Sequence, residues 1–360
     1  MQKQPFKNKK VIVGFSGGVD SSVAAYLLKK EGYEVSGVFM KNWSETKDEE
    51  GICSWREDRD AALRSAAFLG IPFEMVDFEA EYRERVFEYM TREYALAHTP
   101  NPDVMCNREI KFGVFLKYAM DRGADFIATG HYASVKFIKK KSIYKLYKGI
   151  DLSKDQAYFL HQLNQDQLSR TLFPLGEYYK SEVRRIAAKI GLPNAARPDS
   201  QGICFIGKVS MEEFLKKKIA PHKGPIVTVG GEAIGEHEGV EFYTIGQRKG
   251  IRVPGKNPYY VVERKLKENV LVVTDDAEDP RLYTKSVFCQ DFHWIAPIDK
   301  AFPFSVKAQI RYHQKDQSAF VSREGTRIRV DFDEPQWAVS HGQSAVLYRG
   351  RECLGGGVIG

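Results

Sequence analysis

The stretch Ser16-Gly17-Gly18-Val19-Asp20-Ser21-Ser22 gathers the residue types that hold an anion. It follows the apolar run Val11-Ile12-Val13-Gly14-Phe15 and precedes Val23-Ala24-Ala25-Tyr26-Leu27-Leu28, which reads as strand, turn and helix. Two glycines let a ligand approach the backbone, and the first N–H groups of the helix have no intrahelical partner. Such a turn binds phosphate readily. The hydroxyls of Ser16, Ser21 and Ser22 add donors, and Asp20 either caps the helix or holds a Mg²⁺ ion bridging phosphate oxygens. A pyrophosphate group fits these parts. Gly, Ser and Asp also favour ordinary capped turns, which is the plainer alternative. No Lys-Ser or Lys-Thr pair follows a glycine here, so a Walker A loop is excluded, and the spacing of a dinucleotide fingerprint is absent.

Two cysteines stand in settings suited to chemistry. Thr99-Pro100-Asn101-Pro102-Asp103-Val104-Met105-Cys106-Asn107 carries two prolines, which predict a stiff, non-helical loop presenting the Asp103 carboxylate and the Cys106 thiol to one cavity. Cys204 sits in Arg197-Pro198-Asp199-Ser200-Gln201-Gly202-Ile203-Cys204-Phe205, again after a proline and a glycine. Both are read as loop cysteines, displayed as reactive groups usually are. Cys289 and Cys353 read as small core residues of strands. Cys53 has no assignable setting. The five cysteines contain no Cys-x-x-Cys pair, so neither a disulfide scaffold nor a zinc ribbon is indicated.

The elements that must position these groups alternate between residues 10 and 133: strand 10–15, helix 21–31, strand 34–40, helix 57–69, strand 73–77, a long helix 79–97 and strand 125–130. That alternation predicts an α/β fold with a parallel sheet covered by helices. Ligands then lie at the carboxyl ends of the strands, where the Ser16–Ser22 turn, Met40 and the Gly130-His131 corner converge. Six lysines and no acidic residue occupy Ser134 to Ile150, in the alternating pattern of a hairpin. This is either a solvated face or a contact to an RNA backbone. From about residue 206 glycine-rich, β-rich sequence replaces the helices. Beyond about residue 281 the pattern is nearly all strand, as in a six-stranded or similar small barrel. The expected domains are therefore 1–205, a small β-rich domain over 206–280, and a C-terminal β-barrel over 281–360.

A chain of 360 residues with 43% hydrophobic content and a formal charge of +7 reads as a soluble protein with a modest attraction to polyanions. It has no apolar run of membrane-spanning length and no secretion signal, so a cytoplasmic location without membrane association is expected.

The heptapeptide at 16–22 resembles the PP-loop of ATP pyrophosphatases, which transfer AMP to a substrate oxygen and release pyrophosphate. Together with NPDVMCN at 101–107, ATGHYA at 128–133, KDQ at 154–156, FPLG at 173–176, DSQGICFI at 199–206 and FYTIGQRKG at 242–250, it makes the chain resemble the tRNA-specific 2-thiouridylases from about residue 10 to its end. The resemblance implies a PP-loop catalytic domain and replacement of the 2-oxygen of the wobble uridine by sulfur. That chemistry uses ATP, with Mg²⁺ inferred alongside it, and a cysteine persulfide.

By resemblance, Cys204 receives the persulfide, Cys106 is the partner thiol, and Asp103 is general acid or base. Sulfur leaves either directly from the persulfide or as hydrosulfide, and both routes end in a Cys106–Cys204 disulfide. Nucleotide contacts fall to Gly14, Phe15, Ser16, Gly17, Gly18, Val19, Asp20, Ser21, Met40 and Gly130. Contacts to tRNA fall to Asn101, Pro102, Asp103, His131, Lys154, Asp155, Gln156, Arg311, Tyr312 and Gln343, and no residue is assigned as a protein ligand to a metal. A persulfide-donating protein is an implied partner, and a monomer is expected. The chemistry is consistent with the residue types, since a uracil oxygen leaves well only once adenylated, and a thiol with pKa of about 8.5 attacks as its anion. Two other readings compete: a PP-loop ligase in which an amine attacks the adenylate, and an RNA-binding protein with a vestigial nucleotide loop.

Overall fold

The computed structural model describes residues 8–45, 54–199, 215–216, 218–254 and 257–360. Cys53 and Cys204 lie outside the described residues. The first sheet has strands β1 (Lys10–Gly14), β2 (Glu34–Lys41), β3 (Phe73–Asp77), β4 (Phe126–Ala128) and β7 (Thr171–Leu172), in the order β3-β2-β1-β4-β7. All neighbours are parallel, as the strand–helix alternation predicts.

A parallel sheet is buried on both faces, so its central strands are continuously apolar. In β1, Val11 and Val13 enter one core with Val23, Leu27, Leu28, Ala62, Ala66, Val183 and Ala187. Ile12 points the other way, to Met90, Ile110, Phe112 and Phe115. The alternation along one strand therefore fixes helices on both faces, each fully buried aliphatic side chain contributing about 1.5–3 kcal/mol. Because β2 and β3 lie on one side of β1 and β4 and β7 on the other, the chain reverses direction between β1 and β4. In open parallel sheets ligands lie beyond the carboxyl ends of the strands at such a point.

The second sheet consists of β8 (Gly224–Thr228), β9 (Ala233–His237), β10 (Tyr260–Lys265) and β11 (Val270–Thr274), in the order β10-β11-β8-β9. Next, β12 (Tyr283–Trp294), β13 (Phe304–Gln309), β14 (Gln317–Glu324), β15 (Arg327–Trp337), β16 (Ser344–Arg349) and β17 (Glu352–Ile359) run β12-β15-β14-β13-β16-β17, and β12 pairs again with β17. The result is the six-stranded closed barrel expected from the strand-rich sequence. Its core holds Val306, Val321, Val330, Phe332 and Leu347 together with Cys289. Cys289 and Cys353 are buried in β12 and β17, as read from their strand settings. Burial pushes the Cys289 thiol up to about 12, so it stays protonated.

The lysine-rich segment forms the predicted hairpin, β5 (Ala133–Ile138) and β6 (Ile143–Lys148), and part of its charge is matched within the protein. β6 pairs with β17 and so extends the barrel's sheet. Lys145 is 2.8 Å from Glu352, Lys141 pairs with Asp299, and buried Lys148 is 2.5 Å from Asp316 and lies over the Tyr348 ring. Half of the cations are thus matched by acidic residues far away in sequence, which a local charge count does not register. One core runs from Ile12 through Met105, Cys106, Leu146 and Tyr158 to Val346, Tyr348 and Cys353. The sheet and the barrel therefore pack on each other directly.

Candidate active site

The Ser16–Ser22 turn leaves β1 at the switch point. Gly17 has φ +79°, and a Cβ there would lie 2.2 Å from the Asp58 carbonyl oxygen. Only glycine fits. The helix Val19–Glu31 starts two residues earlier than its apolar pattern indicates, with Gly18 at its N-cap and no side-chain cap. Asp20 therefore does not cap it, which removes one of the two roles read for that residue. Asp20 lies within the first turn, and its carboxylate accepts from the Tyr132 hydroxyl at 2.9 Å and from Lys180 Nζ at 2.7 and 2.8 Å. Both carboxylate oxygens are engaged by Lys180, so the protein offers no ready-made metal site here. Among the described residues no group of three His, Cys, Asp or Glu could hold one.

The uncapped start of a helix leaves N–H groups for an anion, and the turn keeps them there. Ser21 and Ser22 hydroxyls donate back to the Gly18 carbonyl at 3.1 and 3.2 Å. Asn194 Nδ2 donates to the Gly17 carbonyl at 3.0 Å and to Ser22 Oγ at 2.9 Å, and Arg197 adds a bond to the same carbonyl at 3.2 Å. Opposite, Gly130 follows β4, and a Cβ there would come within 2.9 Å of Ser21 N. Met40, at the end of β2, closes on Gly14, where a Cβ would lie 3.2 Å from the Met40 methyl carbon. Gly14 to Ser21, Met40 and Gly130 are thus brought to one rim, with a cradle that fits a nucleotide's phosphates.

The thiol-bearing segment corrects another expectation. It is helical almost from its start: Asn101 is the N-cap, its Oδ1 accepting from Val104 N at 3.3 Å, and Pro102 is the first helical residue. Proline is tolerated there because the N–H it lacks would have no helical partner. Asp103 lies in the first turn and Cys106 opens a π-helical stretch, Cys106–Val114. Cys106 is therefore a helix residue, not a loop residue, and is 1% exposed. Wider π turns recur at functional sites.

Several of the residues read as tRNA contacts have polar groups engaged within the protein. His131 bonds Thr129 through Nδ1 at 2.7 Å and packs on Phe112 and Phe173; burial holds it neutral, well below its usual range. Gln156 Oε1 accepts from Tyr132 N at 3.1 Å. Asp155 Oδ1 accepts from Gly149 N and Ala157 N at 3.0 and 3.2 Å, while burial pushes its carboxyl up to about 6. Tyr312 packs at a tilt against Phe159 with ring centres 4.3 Å apart. Burial, helped by Asp155 and Asp103, raises its phenol to about 12. Arg311 donates to the Trp337 carbonyl and lies over that ring. Gln343 donates to the Thr99 carbonyl at 2.8 Å.

Four groups at this site escaped the sequence reading: Tyr132, Lys180, Asn194 and Arg197. They are distant from the turn in sequence and carry no spacing signal, except that Lys180 opens an amphipathic helix, Lys180–Ile190. Lys180 also lies 3.0 Å from Asp199, which Lys154 meets at 3.0 Å and Arg184 meets as well. Although burial opposes its charge, these bonds hold Asp199 well below the usual carboxylate range. Asp199 is the last described residue before the segment carrying Cys204, so the proximity of Cys106 and Cys204 lies outside the described residues.

Comparison with known proteins decides the family. Residues 9–208 match the tRNA methyl transferase HUP domain family, 212–275 the tRNA methyl transferase PRC-barrel domain and 284–359 the aminomethyltransferase beta-barrel domain. A tRNA-specific 2-thiouridylase MnmA of Cupriavidus metallidurans is 50% identical over 98% of this chain and 99% of its own length. The chain belongs to the tRNA-specific 2-thiouridylase family. Its relatives of that name in Shouchella clausii and Bordetella pertussis are 47% and 48% identical, over 98% and 100% of this chain and 97% and 100% of theirs. A solved 4-thiouridine synthetase–RNA complex with bound ATP is far more remote, at 18% identity and a TM-score of 0.34 over 58% of this chain and 50% of that one.

Proposed function

We propose that this protein is an ATP-dependent tRNA uridine 2-sulfurtransferase acting on the wobble base. The observation that carries the reading is the pairing, in a member of this family, of an uncapped phosphate turn with a carboxylate and a thiol three residues apart at the start of one helix. The nucleotide supplies AMP to the uracil O2, turning it into a good leaving group, and pyrophosphate departs. Gly14 to Ser21 hold the phosphates, and Met40 and Gly130 wall the nucleoside. Magnesium bound with the nucleotide would neutralise charge on the departing pyrophosphate; with Asp20 engaged by Lys180, its ligands would come from phosphate oxygens and water.

Asn101, Pro102 and Asp103 surround the base, which must leave its stack to be reached, and Asp103 moves the proton at the uracil. Tyr312, beside Phe159, offers the stacking face that an unpaired anticodon base requires. The persulfide on Cys204 carries a sulfur that must gain two electrons. Cys106 as its thiolate attacks the Cys204 sulfur, the S–S bond to the terminal sulfur breaks, and a Cys106–Cys204 disulfide forms. The terminal sulfur, now sulfide, adds to C2 as AMP leaves. A thiol reductant resets the pair, and a persulfide-bearing protein reloads Cys204. We take the enzyme to act as a monomer in the cytoplasm.

The test is nucleoside mass spectrometry of tRNA after incubation with ATP and a persulfide donor. Cys106→Ser and Cys204→Ser each lose 2-thiouridine while pyrophosphate release persists. Normal 2-thiouridine from either variant overturns the assignment, and alkylation-insensitive turnover of ATP with an amine substrate favours a ligase.

A further inference from the structure

We propose that the C-terminal barrel sets the position of the Asn101–Cys106 helix start through Thr99, and that Gln343 is a positioning residue for the chemistry. The proposal rests on the reading that Asp103 acts at the base. Both backbone polar groups of Thr99 are taken by one short barrel segment: Thr99 N donates to the His341 carbonyl at 2.7 Å, and Gln343 Nε2 donates to the Thr99 carbonyl at 2.8 Å. Gly342 lies between them with φ +91°, and a Cβ there would stand 2.8 Å from Thr99 N and 3.0 Å from His98 Cβ. The two chains approach as closely as backbones can.

The barrel side of this contact is fixed, because Gly342 N donates to the Ile359 carbonyl and Ile359 N to the Gln343 carbonyl, both at 2.8 Å. A third element closes it, with Thr99 Oγ1 3.3 Å from Thr244 Oγ1 and the His98 ring stacked on His341. Beyond Thr99 the chain is stiff. Pro100 and Pro102 leave few backbone freedoms before Asn101 caps the helix and Asp103 enters its first turn. A displacement of Thr99 therefore passes to Asp103 rather than dissipating in a flexible joint. Gln343 was read from sequence as a tRNA contact; here its side-chain donor is directed to protein.

The experiment uses the full chain with Gly342→Ala, which adds a methyl against Thr99, and Gln343→Leu, which removes only the donor. Pyrophosphate release at saturating tRNA, tRNA affinity and amide hydrogen exchange over residues 101–107 are measured. Both variants are expected to release pyrophosphate roughly 10- to 100-fold more slowly, the range a misplacement of about 1 Å produces. Gly342→Ala leaves tRNA affinity unchanged, and exchange over 101–107 quickens in both. Unchanged rate and exchange in both variants overturn the proposal. So does loss confined to tRNA affinity with the saturated rate intact, which makes Gln343 an RNA contact. If Gly342→Ala does not fold, Gln343→Leu decides alone. A wild-type protein that releases no pyrophosphate overturns the proposed function, and the exchange measurement still decides the clamp.

Discussion

The Ser16–Ser22 turn and the Thr99–Cys106 segment meet the same substrate by the reading above, yet they are held in opposite ways. The turn is built within one α/β body: β1 feeds it, the helix Val19–Glu31 carries its donors, and Asn194, Arg197 and Lys180 brace it from the same sheet's covering layer. Thr99 is held from the barrel, by His341 and Gln343. By that reading the proposed phosphate site is assembled by its own domain, whereas the groups proposed to act on the base depend on the barrel. Binding a nucleotide and acting on a nucleic acid thus rest on separate supports, and each can be weakened alone.

Gly130→Ala strikes the first support hardest. The added methyl would sit 2.9 Å from Ser21 N and from the Asp20 carbonyl carbon, both backbone atoms that cannot rotate away. Displacing the helix start by about 1 Å costs on the order of 10²-fold. Pyrophosphate release should fall at least that far while tRNA affinity measured by filter binding is retained. A parallel loss of tRNA affinity would show that the two supports are one.

Asp155, next to the hairpin strand that joins the barrel's sheet, offers a test of that junction through pH. Burial raises its carboxyl from 3.8 to about 6, against two backbone hydrogen bonds that favour the charge. A carboxyl raised on folding contributes stability that is complete below its unfolded pKa and is lost as pH rises through the folded value. Between about pH 4 and 6 the group should therefore remove up to about 3 kcal/mol, at 1.36 kcal/mol per unit. Asp155→Asn keeps an oxygen for Gly149 N and Ala157 N but cannot ionise. Denaturation of wild type and variant across that window should converge at low pH and diverge, with the variant the more stable, towards neutrality. Parallel curves would mean that the ionised form is solvated.

The first support was legible because its signal is local. Apolar runs of five residues, glycine pairs and helix periodicity state the parallel sheet and the phosphate turn within a few neighbours. Strand alternation likewise gave the barrel. The second support was not legible, because Thr99 meets Gln343 across 244 positions and neither residue type announces a partner. Local rules fell short for physical reasons. Two prolines suggested a non-helical loop, but proline at the first helical position leaves no bond unmade. The run of lysines left a solvated face and an RNA contact both open, and a local count could not show that Lys145 and Lys148 find Glu352 and Asp316 in the barrel. Asp20 offered the same lesson at the turn, since its partner Lys180 stands 160 residues on.

That partner supplies the smallest expected effect and the one that joins the two supports. Lys180 touches Asp20 in the turn and Asp199, the last described residue before the Cys204 segment, and its side chain is 13% exposed. It opens a helix whose first N–H is also taken, by Asp151 at 2.9 Å, so the ammonium group has little freedom to look elsewhere. Hydrogen bonds to charged groups contribute about 1.5–3 kcal/mol each, but Asp199 keeps Lys154 and Arg184 when Lys180 is lost. Lys180→Met should therefore act mainly through Asp20, raising the KM for ATP by about tenfold, near the low end of that range. Lys180→Arg should recover part of it, because the charge returns with a different reach. If instead KM is unchanged and sulfur transfer slows after normal pyrophosphate release, the lysine serves the cysteine-bearing segment through Asp199. The division between a self-supporting turn and a borrowed loop would then have to be redrawn around this one side chain.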